Sequence, residues 1–415
     1  MKRNYYIVGL ILLIFFVISF LTNILGPLIP DIIDSFNLSL TMAGFLPFAF
    51  FIAYGVMSIP AGMLVEKYRE KRILLLAFIL ASVAALFFGL VSNFPVYLIS
   101  LFSIGLGMAM LQVAINPLLR VAGGEAHFAF NSVLAQLIFG LASFLSPQVY
   151  TYLVKNVPDE SKGGFIITSL RKVVPEGLPW ISLYWVFALV TVLMVFIILS
   201  SKFPKVELKE DERVGAWSTT LSLFKNKIVI LYFFGIFAYV GSEQGVANWI
   251  SKFLSVYHGY DPQTTGADTV SYFWGLLTAG CLLGLLFLKL FDSRKVLIGF
   301  TAAAVVSLTA ALIGTGNVAL YAFPLVGFFA SVMWSIIFSL ALNSVEKHHG
   351  SFSGILCTGI IGGALVPLVI GWLGDIFGLR IGMLFLYITF GYILSVGIWA
   401  KPLITNATLL RKKKE

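Results

Sequence analysis

The chain has 415 residues, of which 59% are hydrophobic and only 11% charged, and its mean hydropathy is +0.96. No water-soluble fold hides that much apolar surface, so the composition excludes a soluble enzyme or binding module and points to an integral membrane protein in contact with a lipid bilayer. A formal charge of +9 would suit a nucleic-acid binder, but the basic residues are dispersed among short links and the two ends, so topology accounts for them and no nucleic-acid partner is expected.

Long apolar runs favour helices over barrel strands, so the expected fold class is an all-α membrane protein. Met1-Lys2-Arg3 followed by an apolar run from Tyr5 has two parts of a secretory signal. It lacks a small-residue cleavage site and continues past Phe20, which makes it the first spanning helix. Twelve spans are predicted, at 5–33, 42–65, 73–91, 95–122, 128–154, 180–200, 227–256, 270–291, 295–313, 318–344, 351–373 and 380–400. Several exceed the ~20 residues that cross a bilayer, which implies tilt or bending.

Orientation follows from lysine and arginine. With the N-terminus in the cytoplasm, the even-numbered links and both ends hold 22 of the 28 basic residues, so both termini are expected to be cytoplasmic. The inner, cytoplasmic membrane is the expected location. The expected domains are an N-terminal six-helix bundle at 1–200, a cytoplasmic linker at 201–226, a C-terminal six-helix bundle at 227–400 and a basic tail at 401–415. Within the linker, 216–224 is either an interfacial helix or a solvated connection. The Gly/Pro-rich link at 155–179 is an ordered cap or a spacer.

The halves repeat weakly. Gly62, Lys67 and Arg72 recur 222 positions later as Gly284, Lys289 and Arg294, Met110 pairs with Met333, and Pro147 with Pro367. A constant shift of about half the chain is the trace of duplicated six-helix halves, which place a substrate site between them near the midplane.

Such a site should be lined by the polar side chains that hydrocarbon penalises. Span one has Asn23, then Gly26, Pro27 and Pro30, and the prolines should bend or unwind its outer half and free carbonyls toward a cavity. Asp31 and Asp34 follow at the interface as surface or gate residues. Span four carries Gln112 and Asn116 on one helical face, and span five adds Asn131, Gln136 and Gln148, of which Gln148 is assigned to packing or gating. Amides donate and accept, which suits a ligand covered in hydroxyls; the plain alternative is hydrogen bonding between helices.

The densest polar stretch is Tyr239-Val-Gly-Ser-Glu-Gln-Gly-Val-Ala-Asn-Trp249 in span seven. Glu243 lies about 24 Å along the helix from Lys227, well inside the bilayer, where a charge costs roughly 2.5–3.5 kcal/mol. It is therefore either protonated and hydrogen-bonded between helices or a coupling residue. Gln244 and Asn248 share a face, and glycines 241 and 245 permit bending. Trp249 would stack on a sugar ring or anchor the interface, with Phe329, Trp334 and Ser335 as the opposite wall. Gly280/Gly284 and Gly359/Gly363 read as close helix contacts. Cys281 and Cys357 lack metal-ligand spacing, and the four histidines sit at or beyond span ends, so no metal site and no catalytic residue is expected.

Several motifs resemble the major facilitator superfamily, and within it the fucose, glucose and galactose symporter group. They are Asn23-Ile-Leu-Gly-Pro27, Ser58-Ile-Pro-Ala-Gly62, Leu111-Gln-Val-Ala-Ile-Asn-Pro117, Leu134-Ala-Gln136, Ile337-Phe-Ser-Leu-Ala341, Gly350-Ser-Phe-Ser-Gly354 and Gly362-Gly-Ala-Leu-Val-Pro367. The resemblance implies two pseudo-symmetric six-helix bundles, alternating access and a monosaccharide bound centrally. Where proton-coupled fucose carriers have Asp in span one and Glu in span four, this chain has Asn23 and Gln112. Neither can carry a proton, which leaves Glu243 as the buried carboxylate for H⁺ or Na⁺.

The expected function is a monomeric secondary transporter of a hexose, without a cofactor beyond a coupling H⁺ or Na⁺. Asn23, Gln112, Asn116, Gln136, Gln244 and Asn248 are the candidate hydroxyl ligands, Trp249 the stacking residue and Glu243 the coupling residue. An uncoupled facilitator, an efflux carrier and a membrane sugar sensor are the alternatives.

Overall fold

The computed structural model describes residues 4–124, 128–161, 163–203, 222–345 and 349–403. The predicted interfacial helix at 216–224 falls mostly outside the described residues, as do most of the linker, all but the first three residues of the basic tail, and the side chains of Asn116, His127 and His348.

Among the described residues, twelve helices are long and apolar enough to cross a membrane. They run Tyr5–Phe36, Leu40–Tyr68, Glu70–Leu90, Phe94–Gly123, Phe128–Asn156, Pro179–Ser200, Lys227–His258, Pro262–Leu290, Ser293–Ile313, Gly316–Leu342, His349–Phe377 and Leu379–Trp399, here spans one to twelve. The fold is all-α, in two pseudo-symmetric six-helix bundles. The end that carries Asn4 and Trp399 is the terminal face, and the opposite end is the distal face.

Helix ends follow their sequence signals. The Asn4, Ser39 and Asn226 side chains accept from the backbone N–H of Ile7, Met42 and Ile228, which satisfies donors no helix can satisfy internally. Span seven stops at Gly259 and span eleven at Gly378, both at positive φ. Span eight begins eight residues before its predicted start, because Asp261 accepts from the Gln263 N–H and starts an extra wide turn at Pro262–Gly266.

Interruptions position the site. Span one breaks at Asn23-Ile24, between helices ending at Thr22 and starting at Leu25. Pro27 has no N–H to offer the Asn23 carbonyl four residues earlier, so the predicted break falls there. Span ten breaks at Ser331-Val332, and span eleven tightens at Gly359–Ile361. Span seven, by contrast, is one continuous 32-residue helix. Its Gly241 and Gly245, expected to permit bending, instead let Val366 of span eleven and Leu386 of span twelve approach. Gly280 and Gly284 bring span eight against Ser331 and Val332, and Gly359 and Gly363 seat span eleven on Ile236 and Phe51, the close contacts expected of both pairs.

The bundles meet along two long seams and one short one. Spans two and eleven pack from Gly44 against Leu368, through Phe51 against Gly363, to Gly55 against Ile361. Spans five and eight pack through Phe144 against Gly275 and Gly140 against Thr278. The short seam joins the distal half of span one to span seven, where a side chain at Gly26 would enter the Ala247 carbonyl. Gly26→Val should therefore destabilise by about 1–3 kcal/mol and lower the melting temperature of the solubilised protein. Gly9→Ala, with open space around it, should not; equal melting of both variants would show that the short seam does not constrain the bundles.

Candidate functional site between the bundles

Five polar side chains form a chain across the midplane. Asn23 sits at the break in span one, 5% exposed, and donates to Ser143 Oγ at 2.8 Å and Ser19 Oγ at 3.4 Å, both in its own bundle. Its Oδ1 accepts from Gln244 Nε2 of the opposite bundle at 3.5 Å. The same Gln244 nitrogen donates to Glu243 Oε1 at 3.2 Å, and Gln244 Oε1 accepts from Asn248 Nδ2 at 3.5 Å. The other Glu243 oxygen accepts from the Tyr239 hydroxyl. The steps within span seven from Tyr239 to Glu243 and from Gln244 to Asn248 follow from helical spacing, both being i to i+4.

Glu243 thus has one donor on each carboxylate oxygen, and no Lys, Arg or His among the described residues forms an ion pair with it. A carboxylate in this position binds or releases a proton without breaking its cage, because the Tyr239 hydroxyl can turn from donor to acceptor. Trp334 of span ten lies beside Tyr239, ring centroids 6.1 Å apart, and Phe338 stacks behind it.

The remaining candidates divide. Gln112 is half-buried on span four, and the helix brings Asn116 one turn on. Gln136 is exposed. It lies on the stripe 136, 140, 144 and 148 of span five, whose last three members contact span eight through Thr278, Gly275 and Asp268. Leu282, one turn beyond Thr278, is exposed too. Trp249 has no exposed surface; its indole N–H donates to the Pro367 carbonyl at 3.2 Å and its ring abuts Gly371. In this arrangement it neither anchors an interface nor presents a face to a solute. Ser335 is exposed and Phe329 half-buried.

The distal face is sealed by a second polar layer. Asp31 is buried and accepts from the Tyr150 hydroxyl of its own bundle and from Gln263 Nε2 of the other at 2.8 Å. Gln148 donates to Asp268 Oδ1 at 2.8 Å, Thr151 to the Gln263 carbonyl at 2.8 Å, and Lys252 pairs with Asp34 at 3.5 Å. Asp375, which sequence reasoning missed, accepts from the Leu40 and Thr41 N–H groups at 2.8 Å each and from the Thr41 hydroxyl at 2.5 Å. Those are the first-turn donors of span two left over once Ser39 has capped Met42, so a carboxylate of one bundle caps a helix of the other. Its only local signal is an acid three residues before Gly378, and its partner lies more than 330 positions away.

The sequence profile of the Major Facilitator Superfamily matches residues 11–360. The chain belongs to that superfamily. It is 30% identical over 407 residues to a glucose/galactose transporter of Brucella abortus, covering 96% of this chain and 95% of that one. It is 26% identical over 397 residues to the L-fucose-proton symporter of Escherichia coli, covering 91% and 89%. The crystal structure of a variant of the Escherichia coli fucose:proton symporter superimposes with a TM-score of 0.68 at 24% identity, over 96% of this chain and 100% of that one.

A seal made of exposed and half-buried hydrogen bonds should open readily once one is removed. With spin labels at Ser92→Cys and Ile313→Cys, on a background with Cys281 and Cys357 replaced by Ala, Asp375→Ala should move the distal distance distribution toward longer values. The shift should correspond to about 1 kcal/mol, roughly fivefold in population. An unchanged distribution would remove Asp375 from the seal.

Proposed function

We propose that the protein carries a hexose across the cytoplasmic membrane by alternating access, in symport with a proton, working as a monomer with both termini in the cytoplasm. On this reading the distal face is external, and the described state is closed to the outside. The observation that carries the reading is the polar chain from Ser143 through Asn23 and Gln244 to Glu243. A row of amides at the midplane between two bundles suits a polyhydroxylated solute, and a carboxylate without a cationic partner at its end suits coupling. The names of the Brucella and Escherichia relatives support both halves of it.

Asn23, Gln244 and Asn248 are the hydroxyl ligands, joined by Gln112, Asn116 and Gln136 from spans four and five. Glu243 is the coupling residue. Its donor-lined surroundings match a proton; a sodium ion asks for a cage of several oxygens. Carrier action requires that the proton and the sugar bind to one open state and leave from the other, and Gln244 links the two because its amide holds both Glu243 and the Asn23 bridge.

Labelled hexose uptake into proteoliposomes under separately imposed proton and sodium gradients tests the reading. Uptake should follow the proton gradient, and Glu243→Gln should abolish accumulation while leaving sugar exchange within about threefold of the native rate. Accumulation by Glu243→Gln equal to that of the native protein would take Glu243 out of the mechanism, and sodium-driven uptake would reassign the ion.

A further inference from the structure

Trp274 of span eight is a buried donor with nothing to donate to. Its side chain is 3% exposed and its indole Nε1 has no hydrogen-bond partner. Trp249, Trp180 and Trp399 each give their N–H to an acceptor. A buried N–H without an acceptor is rare in a native fold, and asks for an explanation. Trp185 is the other case among the described tryptophans, but it packs on Gly89 between spans three and six, within one bundle.

The faces of span eight show where Trp274 looks. Ser271, Gly275 and Thr278 lie against span five of the opposite bundle. Phe273, Gly280 and Gly284 lie against span ten. Tyr272 and Leu283 are exposed on the far side. At 100° per residue, Trp274 falls between the first two groups, on the side turned to the axis between the bundles. Cys281, two turns along the same side, reaches the Ser331 carbonyl at 3.3 Å and lies within electrostatic range of Glu243 and Tyr239.

Depth agrees with direction. Spans seven and eight run antiparallel, and Gly266 abuts Ser251 where they meet at the distal end. Trp274 is eight residues below Gly266, and Glu243 eight residues below Ser251, so the two side chains sit at the same level.

Resting on the hexose-carrier reading, we propose that Trp274 donates its indole N–H to one hydroxyl oxygen of the transported sugar, beside Glu243. Indole nitrogen is a donor only, so it selects an oxygen with a free lone pair. A bound hexose supplies that oxygen, and its removal from one carbon of the sugar leaves the buried N–H unpaired again. Trp274 therefore sets which hydroxyl the carrier insists on.

Half-saturation of exchange in proteoliposomes, measured for glucose and for its series of singly deoxygenated analogues, tests this. The native protein should lose about tenfold in affinity with one analogue, the one lacking the Trp274 partner. Trp274→Phe should lose about tenfold for glucose and nothing more with that analogue, and Trp274→Tyr, which restores a polar ring edge, should recover part of the loss. Equal affinity of the native protein for all analogues would overturn the proposal, and so would a loss in Trp274→Phe that is the same for every sugar, the mark of a merely structural role. Should the Phe variant not be recovered folded, the Tyr variant read against the same series decides by its altered or unaltered preference. A native protein that exchanges no hexose at all would bring down the carrier reading itself, whereas normal exchange with an unaltered preference in the variants sinks only the assignment of Trp274.

Discussion

Hydrocarbon offers no hydrogen-bond partners, so every polar side chain placed in a spanning helix must be met by another part of the protein. In this molecule many of those partners come from the opposite bundle. Asn23 meets Gln244, Asp31 meets Gln263, Gln148 meets Asp268 and Asp375 meets the start of span two. The groups that make the bundles recognise each other are therefore the groups exposed when they part. An apolar seam would hold two bundles together by packing alone and would leave nothing for a polar solute to exchange with.

The distal seal shows the duplication at work. The helix that begins at Leu40 meets the end of span eleven, and the turn that begins at Pro262, 222 positions later, meets the end of span five. That displacement equals the shift at which Gly62, Lys67 and Arg72 recur. The two latches share a position and differ in chemistry. Asp375 brings a carboxylate to the amino end of its partner helix, where the helix dipole favours it; in the other latch the acid, Asp268, sits just after the wide turn of span eight and a neutral Gln148 comes to it. The start of span two thus takes its carboxylate from across the seam, whereas that of span eight has Asp261 and Asp268 of its own.

Hydropathy and breakers made the scaffold legible. Each span is a long, mostly apolar run with polar flanks, so eleven of the twelve starts fall within three residues of prediction, and the break at Asn23 could be read from Pro27. Side-chain partners were legible only where they sit within one turn, as Tyr239 and Glu243 do. The rest depends on which helices become neighbours. Trp249 looked like a free aromatic because nothing in span seven says that the Pro367 carbonyl lies within reach of its N–H, and Gly241 and Gly245 looked like hinges because the bulk of Val366 and Leu386 is written in spans eleven and twelve. Trp274 carries no local signal at all; only the absence of an acceptor in three dimensions distinguishes it from a packed core residue.

On the proposed reading, Gln244 shows how a small difference in bonding can drive the cycle of such a carrier. Its amide nitrogen has two hydrogens, one directed to Glu243 and one to Asn23 across the seam. At 3.5 Å the bond to Asn23 is at the long limit for a hydrogen bond and weak, so parting the bundles there costs little. The freed hydrogen is then available to a sugar hydroxyl, which makes ligand and opposite bundle competitors for one donor. A solute that fills the gap and bonds to both Gln244 and Asn23 restores the bridge with itself inside it, and closure around it recovers what opening gave up. Protonation of Glu243 removes the buried charge that a closing seam would otherwise strip of water, so the loaded and protonated carrier closes at less cost than one carrying sugar alone. Where Glu243 and the amides act as proposed, coupling needs no long-range signal, because both would share the Gln244 amide.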